Sequence, residues 1–104
     1  MTDRELLEAA AKAAGLTIVY WAQDDYPVVR DGDNNVGWSP LKFDSDALRL
    51  AVKLRFAVNV WHGCSVMTGS GLAATCVMED ISDDPYAATR RAIVRAAAAM
   101  GEKA

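Results

Sequence analysis

The end of the chain reads Asp83-Asp84-Pro85, then an alanine-rich run from Tyr86 to Met100, then Gly101. No other stretch narrows the possible folds so far. An aspartate ahead of a proline supplies a helix N-cap followed by the residue best suited to the first helical position. Tyr86, Thr89, Ile93, Ala96, Ala97 and Met100 then recur at helical spacing, which predicts a long C-terminal helix with one apolar stripe. In a chain of 104 residues that stripe has to meet the rest of a single domain, 1–104, and a chain of this length can bury its own core without disulfide or metal staples.

The other elements follow from local signals. Thr2-x-x-Glu5 is a capping-box pattern ahead of Leu6, Leu7, Ala10, Ala11 and Ala14, with Gly15 placed to stop a helix over Asp3 to Ala14. Leu16 to Trp21 is β-branched and aromatic, hence a strand. Tyr26 to Arg30 and Val36-Gly37-Trp38 flank the turn-forming Asp31-Gly32-Asp33-Asn34-Asn35 and read as a hairpin. Asp44 is the expected N-cap of a second helix, Ser45 to Leu54, in which Ala47, Leu50, Ala51 and Leu54 share a stripe and Arg49 and Lys53 occupy another face. From Phe56 to Met67 apolar residues alternate, which predicts one strand. Leu72 to Glu79 is expected to return antiparallel across Thr68-Gly69-Ser70-Gly71. Symmetry about Ser70 would set Cys64 opposite Cys76 and His62 opposite Met78. The expected class is α+β, an α/β sandwich of three helices on an antiparallel sheet in the order α-β-(ββ)-α-β-β-α, without internal repeat or domain boundary.

Composition narrows the partners. At 52% hydrophobic, 24% charged and a net charge of -3, bulk electrostatics oppose nucleic-acid phosphates. The N-terminus lacks a basic segment followed by an apolar run, and no stretch has the length to cross a bilayer, so a soluble intracellular protein without membrane partner is the expectation. Two cysteines in that compartment are expected as free thiols.

Several motifs invite chemistry and are outweighed by structural readings. His62, Cys64 and Cys76 provide three soft ligands without the paired spacing of a structural zinc site; as a metal or thiol centre they remain an alternative, and core packing is preferred. Gly69-x-Gly71-x-x-Ala74 matches a dinucleotide fingerprint, yet no helix can begin there. Asp31-x-Asp33-x-Asn35 resembles half a calcium loop, but Val36 and Lys42 occupy positions where that loop needs glycine and glutamate. No catalytic set, metal or cofactor is therefore expected. Candidate partner contacts are Trp38, in a loop flanked by glycine and proline; Arg90, Arg91 and Arg95 on the last helix; and Ser65 and Met67, in an extended hairpin tip from Gly63 to Gly71.

Gly37-Trp38-Ser39-Pro40-Leu41, Asp46-Ala47-Leu48-Arg49-Leu50-Ala51-Val52-Lys53-Leu54, and Asp83-Asp84-Pro85-Tyr86-Ala87-Ala88-Thr89-Arg90-Arg91-Ala92-Ile93 together resemble small proteins of tailed phages and prophages, similar to the phage ABA sandwich domain. The resemblance covers most of the chain and departs from the usual pattern between Trp61 and Ala74. It implies an α/β sandwich and an accessory role in the cytoplasm of an infected bacterial host, and it carries over no catalytic residue. The expected function is non-enzymatic binding of a host or phage protein, as an inhibitor of a host antiviral defence system of anti-CRISPR type. Alternatives are a small-ligand or nucleotide-signal binder using arginines 90, 91 and 95 with tryptophan stacking, and the metal or thiol site. A homodimer is a further option.

Overall fold

Thr2 opens the first helix as its spacing to Glu5 implies. Its hydroxyl accepts from the Glu5 N–H at 3.1 Å, and the Glu5 carboxylate accepts from the Thr2 N–H at 3.1 Å. The structure, a computed structural model, describes residues 2–23, 26–60, 64–68, 75–79 and 84–103. Helix α1 (Asp3–Ala13) ends where Gly15 adopts φ 73 and the Leu16 N–H returns to the Ala11 carbonyl at 2.9 Å, a Schellman closure that sends the chain directly into a strand. Strands β1 (Thr17–Ala22), β2 (Tyr26–Asp31) and β3 (Asn34–Gly37) form an antiparallel meander in that order. The β2–β3 turn is Gly32-Asp33 between the paired Asp31 and Asn34, with Gly32 at φ 64 in the position where a two-residue hairpin turn demands glycine.

The same plan then recurs. Helix α2 (Asp44–Leu54) closes with the Phe56 N–H on the Ala51 carbonyl at 2.9 Å, and Arg55, at φ 59, holds the left-handed position that Gly15 holds after α1. Strands β4 (Ala57–Val60), β5 (Cys64–Thr68) and β6 (Thr75–Glu79) make a second antiparallel meander. Helix α3 (Pro85–Lys103) completes the chain, with the Asp84 carboxylate accepting from the Tyr86 and Ala87 N–H groups at 3.1 Å each, as the N-cap pattern implies.

The α+β class, the three helices and their order match the sequence reading. Two expectations about element boundaries do not hold. The segment 56–67 is two strands rather than one, since Ala57 pairs with Met67 and Val60 with Cys64. Asp44 is the first helical residue and not the N-cap: Phe43, which has no side-chain acceptor, stands at the cap, while the Asp44 carboxylate accepts from Arg90 and Asp46 accepts from the Ser39 N–H at 2.9 Å.

The core is organised around α3. It packs on α1, α2, β5 and β6, while β1 lies against α1. Ala92, Ile93, Val94, Ala96, Ala97 and Ala98 are all buried, a wider arc than the single predicted stripe; Tyr86 and Met100, assigned to that stripe, are exposed. Small side chains allow this, because a helix buried on most sides must let its neighbours approach closely. The nearest approach is at Gly101, where an added Cβ would overlap the Ala9 carbonyl oxygen and lie 2.8 Å from its carbon. Leu6, Leu7, Ala10 and Ala11 of α1, Ala47, Leu50 and Ala51 of α2, and Val29 of β2 complete the cluster.

Candidate docking surface

The residues nominated for partner contact are mostly engaged within the fold. Trp38 is 8% exposed and belongs to the core cluster, and its backbone N–H donates to the Pro27 carbonyl at 3.0 Å. The fold thus places this side chain in the core, where burying a large aromatic group is favourable, rather than standing out from its loop. Arg90 donates to the Leu41 carbonyl at 3.0 Å and to Asp44 at 2.6 Å, which fastens the β3–α2 loop to α3. Arg91 bridges Asp3 at 3.0 Å and Glu79 at 3.5 Å, and Arg95 meets Glu79 at 3.2 Å. These pairs join α3 to α1, α2 and β6.

Ser65 and Met67 belong to β5, the middle strand of its sheet, and so do not form a hairpin tip; their backbones pair with Asn59 and Ala57 on one side and with Met78 and Cys76 on the other. The register also corrects the cysteine expectation: Cys64 pairs with Glu79 and Cys76 with Met67, so the two cysteines do not face one another. His62 lies outside the described residues. Among the described residues no three His, Cys, Asp or Glu side chains converge as a metal site would need. No helix among them is long and apolar enough to cross a membrane.

A surface not nominated from the sequence is the most conspicuous feature. Among the described strands β4 is an edge of its sheet, and Ala57, Val58, Asn59 and Val60 are all exposed. α3 packs on β5 and β6, and a cleft of about 450 Å³ lies between β4, α2 and the N-terminal half of α3. Val58 and Val60 line it from the strand, Leu48 and Ala51 from α2, and Tyr86 and Ile93 from α3, while the Asp44–Arg90 pair also lines it. Leu48, Val52 and Tyr86 are 64%, 68% and 69% exposed, an unusual cost for large apolar side chains on a small domain.

The local chemistry of α2 explains this. Its buried arc is Ala47, Leu50 and Ala51; Leu48 lines the cleft beside Ala51, and Val52, four residues on, is an exposed apolar neighbour of Leu48, whereas Arg49 and Lys53 make the other side polar. That i, i+4 pair beside an already complete core stripe was the signal available in the sequence. On β4 the signal was the absence of the lysine, proline or inward charge with which edge strands are usually blunted.

Comparison with family models, curated proteins and solved structures finds no match for the chain.

Proposed function

We propose that this protein is a non-enzymatic binding module that docks an extended segment of another protein onto the β4 edge. One observation carries the reading: a strand edge that no other described strand pairs with, and that carries no charge, runs along the apolar cleft of Leu48, Val58, Val60 and Tyr86. The unpaired backbone of an edge strand selects a strand as its occupant through main-chain hydrogen bonds. Alternate side chains of that segment, if apolar, enter the cleft beside it. The partner chemistry is thus a β-strand of alternating apolar residues. The resemblance of 37–41, 46–54 and 83–93 to small tailed-phage proteins favours a partner drawn from a host antiviral defence complex, with inhibition achieved by occupying an edge that the partner uses elsewhere.

The test uses photo-crosslinking residues placed at Leu48 and Val58, with Val36 on the other sheet as control, in lysate of an infected host. The expected outcome is one stoichiometric adduct from Leu48 and Val58, containing a strand-forming peptide, and loss of that complex in Leu48→Lys and Val58→Lys variants that keep their melting temperature. Refutation would come from crosslinks confined to Val36, from a complex indifferent to both lysines, or from adducts of this chain with itself alone.

A further inference from the structure

A pocket separate from the β4 cleft opens between the end of α1, the β1–β3 sheet and α2, with a volume of about 180 Å³. Ala14, Val29, Trp38 and Leu50, all members of the core cluster, line it, and Leu16 and the exposed Val36 continue its apolar wall outward. The strand register accounts for that wall. Ile18 pairs with Val29 and Val29 with Val36, so the three share one sheet face, and Val29 and Val36 present that face to the pocket opposite Leu50. An apolar cavity of about 150 Å³ holds a benzene molecule. This pocket therefore has the size for a single six-membered ring.

The charged groups of the lining all come from α2: Asp46, Arg49 and Lys53. The Asp46 carboxylate is committed to the Ser39 N–H at 2.9 Å. Arg49 and Lys53 are exposed, and neither has a hydrogen bond or ion pair to any described residue, whereas Arg4, Arg90 and Arg91 are each held by a carboxylate. Two unpaired cations beside one committed carboxylate leave a surplus of one positive charge at the mouth of an apolar pocket. Like charges four residues apart on a helix also repel one another, and an anion lying between them relieves that repulsion.

We infer that this pocket binds a small aromatic monocarboxylate, its ring among Leu16, Val29, Trp38 and Leu50 and its carboxylate on Arg49 and Lys53. A guanidinium takes a carboxylate through two parallel N–H donors, and an ammonium one helical turn further on adds a third. The surplus of a single charge matches a monoanion. Apolar walls with a few convergent polar groups at one side are the general form of a small-molecule site.

Phenylacetate, with acetate and phenethylamine as separate arms, is titrated into the full chain at low ionic strength and followed by calorimetry and by methyl NMR shifts. Saturable 1:1 binding of phenylacetate is expected, tighter than that of acetate or of phenethylamine, which keeps the ring and reverses the charge. The shifts should centre on Leu16, Val29, Val36 and Leu50 and spare Leu48 and Val58. Arg49→Ala should weaken binding about tenfold, as loss of a charge-assisted hydrogen bond does, and Arg49→Glu should abolish it. Arg30→Ala, next to Val29 but on the opposite face of β2, should leave it unchanged; both arginines are exposed, so the variants keep the fold. The inference is overturned by the absence of saturable binding at millimolar phenylacetate, by phenethylamine binding as tightly, by equal losses in Arg49→Ala and Arg30→Ala, or by shifts centred on Leu48 and Val58.

Discussion

Replacing Gly101 by alanine sets local preference against tertiary geometry, and the two predict opposite signs. Within a helix, alanine is favoured over glycine by about 1 kcal/mol, so on propensity alone Gly101→Ala stabilises. In this fold the new methyl overlaps the Ala9 carbonyl oxygen and sits 2.8 Å from its carbon. Backbone atoms of α1 cannot rotate aside as a flexible side chain would, so either α1 and α3 separate or the end of α3 peels away. Overpacking of this kind costs about 1–3 kcal/mol, and separation would also disturb Leu6, Ala10 and Ala97, which are buried in the same cluster. Gly101 lies two residues from the end of α3, so fraying of the last turn caps the loss. The expected net effect is about 1–2 kcal/mol of destabilisation, or a melting temperature lower by about 5–15 °C for a domain of this size. Thermal and urea melts followed by circular dichroism measure it. Ala9→Gly should not rescue the variant, because the obstructing atoms belong to the backbone. An unchanged or raised melting temperature in Gly101→Ala would refute the close α1–α3 contact, and rescue by Ala9→Gly would refute its assignment to main-chain atoms.

Two further outcomes follow from the helix ends. Arg55 is exposed and left-handed at φ 59, where the equivalent closure of α1 has glycine, so Arg55→Gly should raise stability by about 0.5–1 kcal/mol in urea unfolding; a loss would show that the arginine side chain contributes more than its backbone strain costs. The Glu5 carboxyl is held below its ordinary value of 4.5 by the Thr2 backbone N–H and then the Thr2 hydroxyl. A carboxyl depressed in the folded state contributes stability that is full above its unfolded value and is lost as pH falls through the lower folded one. The wild type should therefore lose stability relative to Glu5→Gln in that acid window and not at neutral pH, and parallel acid titrations of the two melts would contradict this.

What was readable in the sequence was whatever depends on neighbours a few residues apart. Thr2 and Glu5, Asp84 and Pro85, Gly15, and the Gly32-Asp33 turn each satisfy or release backbone groups locally, so their residue types predict their geometry. The break inside 56–67 was not readable, and the register says why. Ala57 pairs with Met67 and Val58 with Val66, partners of equal parity, so the alternation of apolar residues carries over from β4 to β5 without a fault. Between β5 and β6 the parity changes, Cys64 with Glu79 and Met67 with Cys76, and no feature of the alternation announces it. The docking surface was half legible: Leu48 and Val52 stand apart from the core stripe in the sequence, but that β4 lies beside them at an edge does not.

From its own sequence, then, this chain determines its three helices, its turns and its α+β class, because caps, glycines and periodicities act over one or two turns of chain. Tertiary structure alone decides what the charged and aromatic residues do. Arg91 finds Asp3 across 88 positions and Arg90 finds Asp44 across 46. Trp38 goes inward, and Leu48, Val58 and Tyr86 are left together outside. Such partnerships depend on which elements pack side by side, and packing is settled by competition among all apolar faces at once rather than by any one segment.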